Sequence, residues 1–174
     1  PGEVAVDLGA KVDGDALVVT ARGPLAAGLE LEQVTRGEGG SERGLAGLRC
    51  EPPKTEAWFV VDAEPGAVVY LGWRDDVDRR ELDARREAQD SAWMLSRMNR
   101  LTVRAGDGIL VPAGPVHAIR EGVFVVEAQE PTDYSILLEW SATTSDREDS
   151  HLGVGFDPLG PPHGASLPGQ WVRS

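Results

Sequence analysis

The chain has 174 residues, of which 41% are hydrophobic, and this length and composition predict a single globular domain over residues 1–174. Its formal net charge of −12 opposes binding to nucleic acid or to anionic membrane surfaces, so neither is an expected partner. A single cysteine excludes an internal disulfide, and no stretch reaches the roughly 18 apolar residues of a membrane span. The first residues lack the basic start and apolar run of a signal peptide, so we expect a cytoplasmic protein.

The apolar runs are short, rich in valine and separated by glycine and proline, which is typical of strands. Nine strands in a row favour an all-β fold, either a closed antiparallel barrel or a sandwich. The predicted strands cover residues 16–20, 29–34, 57–61, 67–72, 100–104, 108–112, 116–119, 123–128 and 134–140.

Three segments depart from the strand pattern. In residues 76–98, alanines and Leu95 recur at helical spacing behind an acidic start, which predicts one helix, or two helices separated near Asp90. The Gly-rich residues 36–53 are predicted to form a loop, and the Pro-rich tail 158–174 is predicted to be extended. The fold is therefore expected to be all-β with one helical insertion.

The stretch "KTEAW" places two charges next to a predicted buried strand. Because side chains alternate along a strand, Lys54, Glu56 and Trp58 share one face, while Thr55 and Ala57 share the other. A lysine is most often solvated on the surface. Here, however, the charged face can line the interior of a barrel that contains a polar site.

The second candidate stretch is "AGDGILVPAGPVHAIRE", residues 105–121. A turn at Pro112 and Gly114 is predicted to reverse the chain, so that His117 begins the next strand. Taken alone, a histidine beside apolar residues is more often a core or surface residue than a ligand. A histidine fixed just after a tight turn can also point into a barrel and bind a metal.

The spacing of Gly106, Pro112, Gly114 and His117 resembles the second motif of the cupin family, although Glu121 stands where that motif has asparagine. Over residues 51–157, the segments "KTEAWFVVDAEPGAVVYLG", "MNRLTVRAGDGILVPAGPVHAI" and "VFVVEAQEPTDYSILLEW" resemble the type I mannose-6-phosphate isomerases, a zinc-dependent branch of the cupins. Residues 1–50 diverge from that family. The resemblance implies a single cupin domain, a double-stranded β-helix or jelly-roll barrel.

The resemblance also implies roles for individual residues. Glu56 and His117 match zinc ligands, and Lys54 matches the residue that contacts the substrate and takes part in proton transfer. Gln33 stands in the place of a third ligand, whereas Thr35 stands where a histidine is expected. Three explanations stay open: a diverged paralogue that lost its metal, a rearranged site, or a segment outside this sequence. His151 and His163 are expected on the surface.

The resemblance further places Glu127 and Gln129 near the substrate, although an edge strand with solvated acids is an equal alternative. Arg120 can bind a phosphate through its guanidinium fork, or it can pair with Glu121 on the surface. The implied activity is a metal-dependent isomerisation, with Zn²⁺ or another divalent metal, between mannose 6-phosphate and fructose 6-phosphate through an enediol. The alternative is a metal-poor, non-catalytic cupin that binds a sugar or sugar phosphate.

Overall fold

A computed structural model describes most of the predicted core. The described residues are 7–13, 16–22, 30–36, 48–50, 54–130, 135–141, 143, 145–156 and 172–173. The predicted tail 158–174 and the predicted loop 36–53 therefore lie mostly outside the described residues. The single domain over residues 1–174 stays a prediction.

Each of the nine predicted strands is present, and the described part of the chain contains three more. The Gly-rich segment was wrongly predicted as loop throughout, because Leu48–Cys50 pairs with two neighbouring strands. The strands are β1 Asp7–Asp13, β2 Ala16–Arg22, β3 Glu30–Arg36, β4 Leu48–Cys50, β5 Glu56–Ala63, β6 Val68–Trp73, β7 Met98–Thr102, β8 Gly108–Val111, β9 His117–Ile119, β10 Val123–Gln129, β11 Ile136–Glu139 and β12 Val172–Arg173.

The strands form two five-stranded antiparallel sheets and a separate β1–β2 hairpin. The first sheet has the order β12-β8-β5-β10-β3, and the second has the order β11-β4-β9-β6-β7. From β3 to β12, successive strands alternate between the two sheets, except that β6 and β7 are both in the second. This alternation is the winding of a double-stranded β-helix. The structure thus confirms the all-β jelly-roll fold of the cupins.

The side chains between the two sheets form an apolar core. Trp58 on β5 lies opposite Ile109 on β8, and both are almost fully buried. From the second sheet, Val69 and Leu71 of β6 point into the same core. Alternation along β6 sends Val68 and Tyr70 to the outer face of the second sheet.

The helical insertion covers that outer face. It consists of α1 Arg79–Glu87 and α2 Ser91–Ser96, whose buried Leu82 and Met94 belong to the same apolar cluster as Tyr70. The prediction of two helices separated near Asp90 is confirmed, since the Asp90 carboxylate accepts a hydrogen bond from the Trp93 amide at 3.0 Å and caps α2. No helix in the described residues is long and apolar enough to cross a membrane.

The segment after β11 is attached to α1 through arginines. The Arg147 guanidinium donates to the Glu87 carboxylate at 2.8 Å, and this hydrogen bond lowers the pKa of Glu87. Arg86 lies over the ring of Phe156 at 3.7 Å. His151 packs edge-on against the same ring and is buried, so its predicted surface position was wrong. His163 lies outside the described residues.

Gln89 connects the insertion to the end of β11. It has a left-handed backbone (φ 50°) between the two helices, and its side-chain oxygen accepts hydrogen bonds from the amides of Trp140 at 2.7 Å and Ser141 at 2.9 Å. Its side-chain amide donates to the Leu138 carbonyl at 3.2 Å. One side chain therefore bonds to three backbone groups at the end of β11.

Substitution of Gln89 tests this connection. We expect Gln89→Leu to lower the free energy of unfolding by about 2 kcal/mol, because the backbone groups at the end of β11 lose their partner. Urea denaturation of the purified protein measures the change. Gln89→Glu is the matched control: it keeps an acceptor for the two amides and is expected to lose less. Equal stability of Gln89→Leu and the unsubstituted chain would contradict the role.

Candidate functional site

The charged face of "KTEAW" lies inside the barrel, as the period of two predicted. Lys54 Nζ is 3.6 Å from Glu56 Oε1, and the side chains of both residues are at most 3% exposed. Trp58 Nε1 donates a hydrogen bond to Glu56 Oε2 at 2.9 Å, while Lys54 Nζ donates to Ser135 Oγ at 3.2 Å. A buried carboxylate needs such partners, since burial of an uncompensated charge is costly.

His117 reaches the same carboxylate from the other sheet. It begins β9 directly after the turn at Gly114, whose φ of 101° favours glycine. His117 Nδ1 lies 3.2 Å from the Pro115 carbonyl, and because a carbonyl can only accept, Nδ1 carries a proton. His117 Nε2 lies 3.7 Å from Glu56 Oε2. The site therefore joins β5 of one sheet to β9 of the other.

Trp58 forms one wall of this site. Its ring meets the ring of His117 edge-on, with centroids 5.2 Å apart and an angle of 73° between the planes. Trp58 thus contacts both side chains of the site, the imidazole through its ring and the Glu56 carboxylate through its indole N–H. The sequence indicated this position, since Trp58 follows Glu56 by two residues. The contact between Ser135 and Lys54 could not be predicted from the sequence, because the two residues are far apart in the chain.

Glu56 and His117 provide a partial fit to a divalent metal. Two ligands of a tetrahedral zinc lie about 3.3 Å apart, because each zinc–ligand bond is about 2.0–2.1 Å long. The observed 3.7 Å is close to that spacing and longer than a hydrogen bond. The backbone carbonyl on Nδ1 is also the usual outer partner of a metal-binding histidine. Within the described residues, however, no three His, Cys, Asp or Glu side chains group together around a possible ion.

The strand register places the other candidate ligand. Gln33 lies opposite Glu127, which in turn lies opposite Trp58, so these three positions form one row across the first sheet. Thr35 occupies the next row on that face, opposite Val125. The backbone position of Gln33 is thus in the row of the site, whereas Thr35 is in a row of the apolar core.

Glu127 and Gln129 lie on the inner face beside the site. Gln129 pairs with Glu56 and Glu127 pairs with Trp58, and both polar side chains are buried. The alternative of an edge strand with solvated acids is wrong, because β10 lies between β3 and β5. These residues therefore add an amide and a carboxyl to the polar end of the barrel interior.

The structure separates Arg120 from this group. Arg120 follows His117 by three residues, and an odd separation along a strand puts the two side chains on opposite faces. Arg120 lines a cleft on the outer face together with Tyr70 and Leu95. This placement puts Arg120 outside the barrel site, and its binding of a phosphate stays a prediction. The structure describes both Arg120 and Glu121 and shows no ion pair between them.

Comparison with known proteins relates part of the chain to a group of enzymes. The mannose-6-phosphate isomerase of Streptococcus mutans is 35% identical over 80 residues, which are 46% of this chain and 24% of that protein. Mannose-6-phosphate isomerase ManA of Bacillus subtilis is 32% identical over 85 residues, 49% of this chain and 26% of that protein. About half of the chain is related to mannose-6-phosphate isomerases. The chain spans about a quarter of the length of these curated relatives.

Two further comparisons concern the N-terminal part and the fold. Residues 5–69 match a family of unknown function (DUF5719). The crystal structure of the mannose 6-phosphate isomerase from Bacillus subtilis covers 56% of this chain and 34% of its own, with a TM-score of 0.47 and 23% identity.

Replacement of Trp58 tests its role in holding the carboxylate. We expect Trp58→Phe to lower the free energy of unfolding by about 1.5–3 kcal/mol, because a buried carboxylate oxygen loses a charge-assisted hydrogen bond. Urea denaturation measures the loss. Trp73→Phe, in the core beside the helices, is the control for reduced aromatic volume. A loss no larger than that of Trp73→Phe would show that the hydrogen bond contributes nothing.

Proposed function

We propose that the protein is an aldose–ketose isomerase that interconverts mannose 6-phosphate and fructose 6-phosphate. The observation that carries the proposal is the convergence of three buried groups inside the barrel. Lys54 Nζ and His117 Nε2 lie 3.6 Å and 3.7 Å from the two oxygens of the Glu56 carboxylate. The relation of about half the chain to proteins named mannose-6-phosphate isomerase supports the same reaction.

In this proposal, Glu56 and His117 hold a divalent metal, with zinc as the first candidate. The amide oxygen of Gln33 is the proposed third ligand, because the backbone of Gln33 lies in the row of Trp58. When bound, the metal supplies a Lewis acid that polarises the oxygens on the reacting carbons. The Pro115 carbonyl keeps the proton on Nδ1 and leaves Nε2 for binding.

Lys54 is the proposed group at the proton-transfer step. Isomerisation moves a proton between the first and second carbons of the sugar and passes through an enediol. The Lys54 ammonium, fixed by Ser135 and Glu56, can stabilise the negative charge that develops on an enediol oxygen. Its burial excludes water, which strengthens this electrostatic effect.

Glu127 and Gln129 are the proposed contacts for the sugar hydroxyls. Both are buried on the inner face, in the rows of Trp58 and Glu56. A carboxylate accepts hydrogen bonds, while an amide both donates and accepts, so the pair suits a ligand with several hydroxyl groups. Because both residues lie on a central strand, their positions are fixed by hydrogen bonds on both sides.

A second candidate function is the binding of a sugar or sugar phosphate without turnover. The observation that favours it is the number of metal donors, since Glu56 and His117 are two and catalytic zinc sites use three protein ligands. In that case the same buried polar groups would recognise the sugar, and Lys54 would pair with an anionic ligand instead of assisting a reaction.

Metal analysis of the native protein separates these functions. The isomerase predicts about one bound divalent metal per chain, and His117→Ala should lose the metal and at least about 100-fold in activity on mannose 6-phosphate, because a direct ligand is removed. His151→Gln, at a buried histidine outside the barrel site, is the matched control and should keep both. A metal-free native protein that does not convert mannose 6-phosphate would refute the isomerase. Calorimetric binding of that sugar phosphate would then support the second function.

Replacement of Lys54 separates chemistry from metal binding. We expect Lys54→Met to retain the metal and to lower kcat by about 100-fold or more, because the group at the enediol step is lost. Elemental analysis and steady-state kinetics measure the two quantities. Lys11→Met, at the only other lysine of the chain, should leave both unchanged. Full activity of Lys54→Met would contradict the assigned role.

A further inference from the structure

A cleft on the outer face of the second sheet lies apart from the barrel site. It has a volume of about 660 Å³ and lies between β6, β7 and the helical insertion. Pockets for small molecules are typically about 300–1,000 Å³ in volume. Along β6, Tyr70 lines the cleft while its neighbour Leu71 points into the barrel, so one strand separates the two sites.

The cleft carries uncompensated positive charge. Arg74, Arg100 and Arg120 line it, and Arg74 pairs with the adjacent Asp75 at 3.1 Å. Neither Arg100 nor Arg120 forms an ion pair with a carboxylate in the part of the chain that the structure describes. Their positive charge is notable in a protein with a net charge of −12.

The acidic residue in the lining does not neutralise these arginines. The Asp90 carboxylate receives hydrogen bonds from Arg85 Nη1 at 2.8 Å and from the Trp93 amide at 3.0 Å. Gln89, also in the lining, uses its side-chain oxygen for the end of β11. The Asp90 carboxylate and the Gln89 side-chain oxygen are thus occupied by protein groups, which leaves Arg100 and Arg120 to attract an external anion.

The two arginines flank an apolar floor. Arg100 on β7 lies opposite Tyr70, and the backbone amide of Arg120 bonds to the Val68 carbonyl on the other side of β6. Tyr70, Leu95 and Met98 provide the apolar part of the lining. A ligand that fits both features carries an anionic group between the guanidinium groups and an apolar or flat body on the floor.

We propose that this cleft is a second binding site, which takes a small organic phosphate. A phosphate ester carries nearly two negative charges at neutral pH and three terminal oxygens, so it can satisfy two guanidinium forks at once, whereas a carboxylate matches one. This site is independent of the proposed isomerase. It uses the outer face of the sheet and none of the groups at Glu56.

Phenyl phosphate is a suitable probe, because it joins a phosphate ester to a flat apolar ring. Calorimetry should show binding of phenyl phosphate to the full chain with a Kd below about 1 mM, tighter than the binding of inorganic phosphate. The double variant Arg100→Gln/Arg120→Gln should weaken that binding by about tenfold or more. Arg104→Gln is the matched control, since Arg104 is an exposed arginine paired with Asp107 and does not line the cleft.

A second variant distinguishes the cleft from the barrel. Lys54→Met should leave the binding of phenyl phosphate to the cleft unchanged. Amide chemical shifts in an NMR titration should move at Ala92 and Leu95, which line the cleft. If Lys54→Met abolishes the binding and Arg100→Gln/Arg120→Gln does not, the phosphate binds in the barrel and the second site is refuted. No detectable binding to the unsubstituted chain would also overturn the proposal. Thermal unfolding verifies that each variant is folded.

Discussion

The buried carboxylate of Glu56 sets the main constraint on the barrel. At 2% exposure it is removed from water, so the fold must bring partners to it. Its three partners come from two places: Lys54 and Trp58 from the same strand face, and His117 from the opposite sheet. The approach of β5 to β9 therefore serves both the apolar core and the charged site, and neither sheet could shift by one residue without breaking this contact.

The alternation of side chains along β6 and β9 divides the molecule into two chemical faces. Leu71 and His117 lie opposite each other and point inward, whereas Tyr70 and Ala118 point outward to the helical insertion. The second sheet is thus buried on both sides, which explains why every residue of β6 is buried. The helical insertion covers only part of the outer face of the second sheet. The cleft lies at the border of the insertion, and Arg120 lines it.

Local sequence patterns predicted much of this arrangement. The period of two placed Lys54, Glu56 and Trp58 on one face, and the glycine and proline spacing placed His117 at a strand start. Register was not predictable, because the pairing of Gln129 with Glu56 depends on strands far apart in the chain. Arg120 was predicted either to bind a phosphate or to pair with Glu121, and its odd spacing from His117 indicates a side chain on the opposite face of the sheet.

The rows across the first sheet separate the apolar part of the barrel interior from its charged part. Residue 35 lies in the row of Val125 and Val60, both fully buried and apolar. The next row on this face contains Gln33, Glu127 and Trp58, and the row after it contains Gln129 and Glu56. The polar chemistry of this barrel is thus concentrated in the rows around Glu56, where the Lys54 ammonium offsets the charge of the buried Glu56 carboxylate.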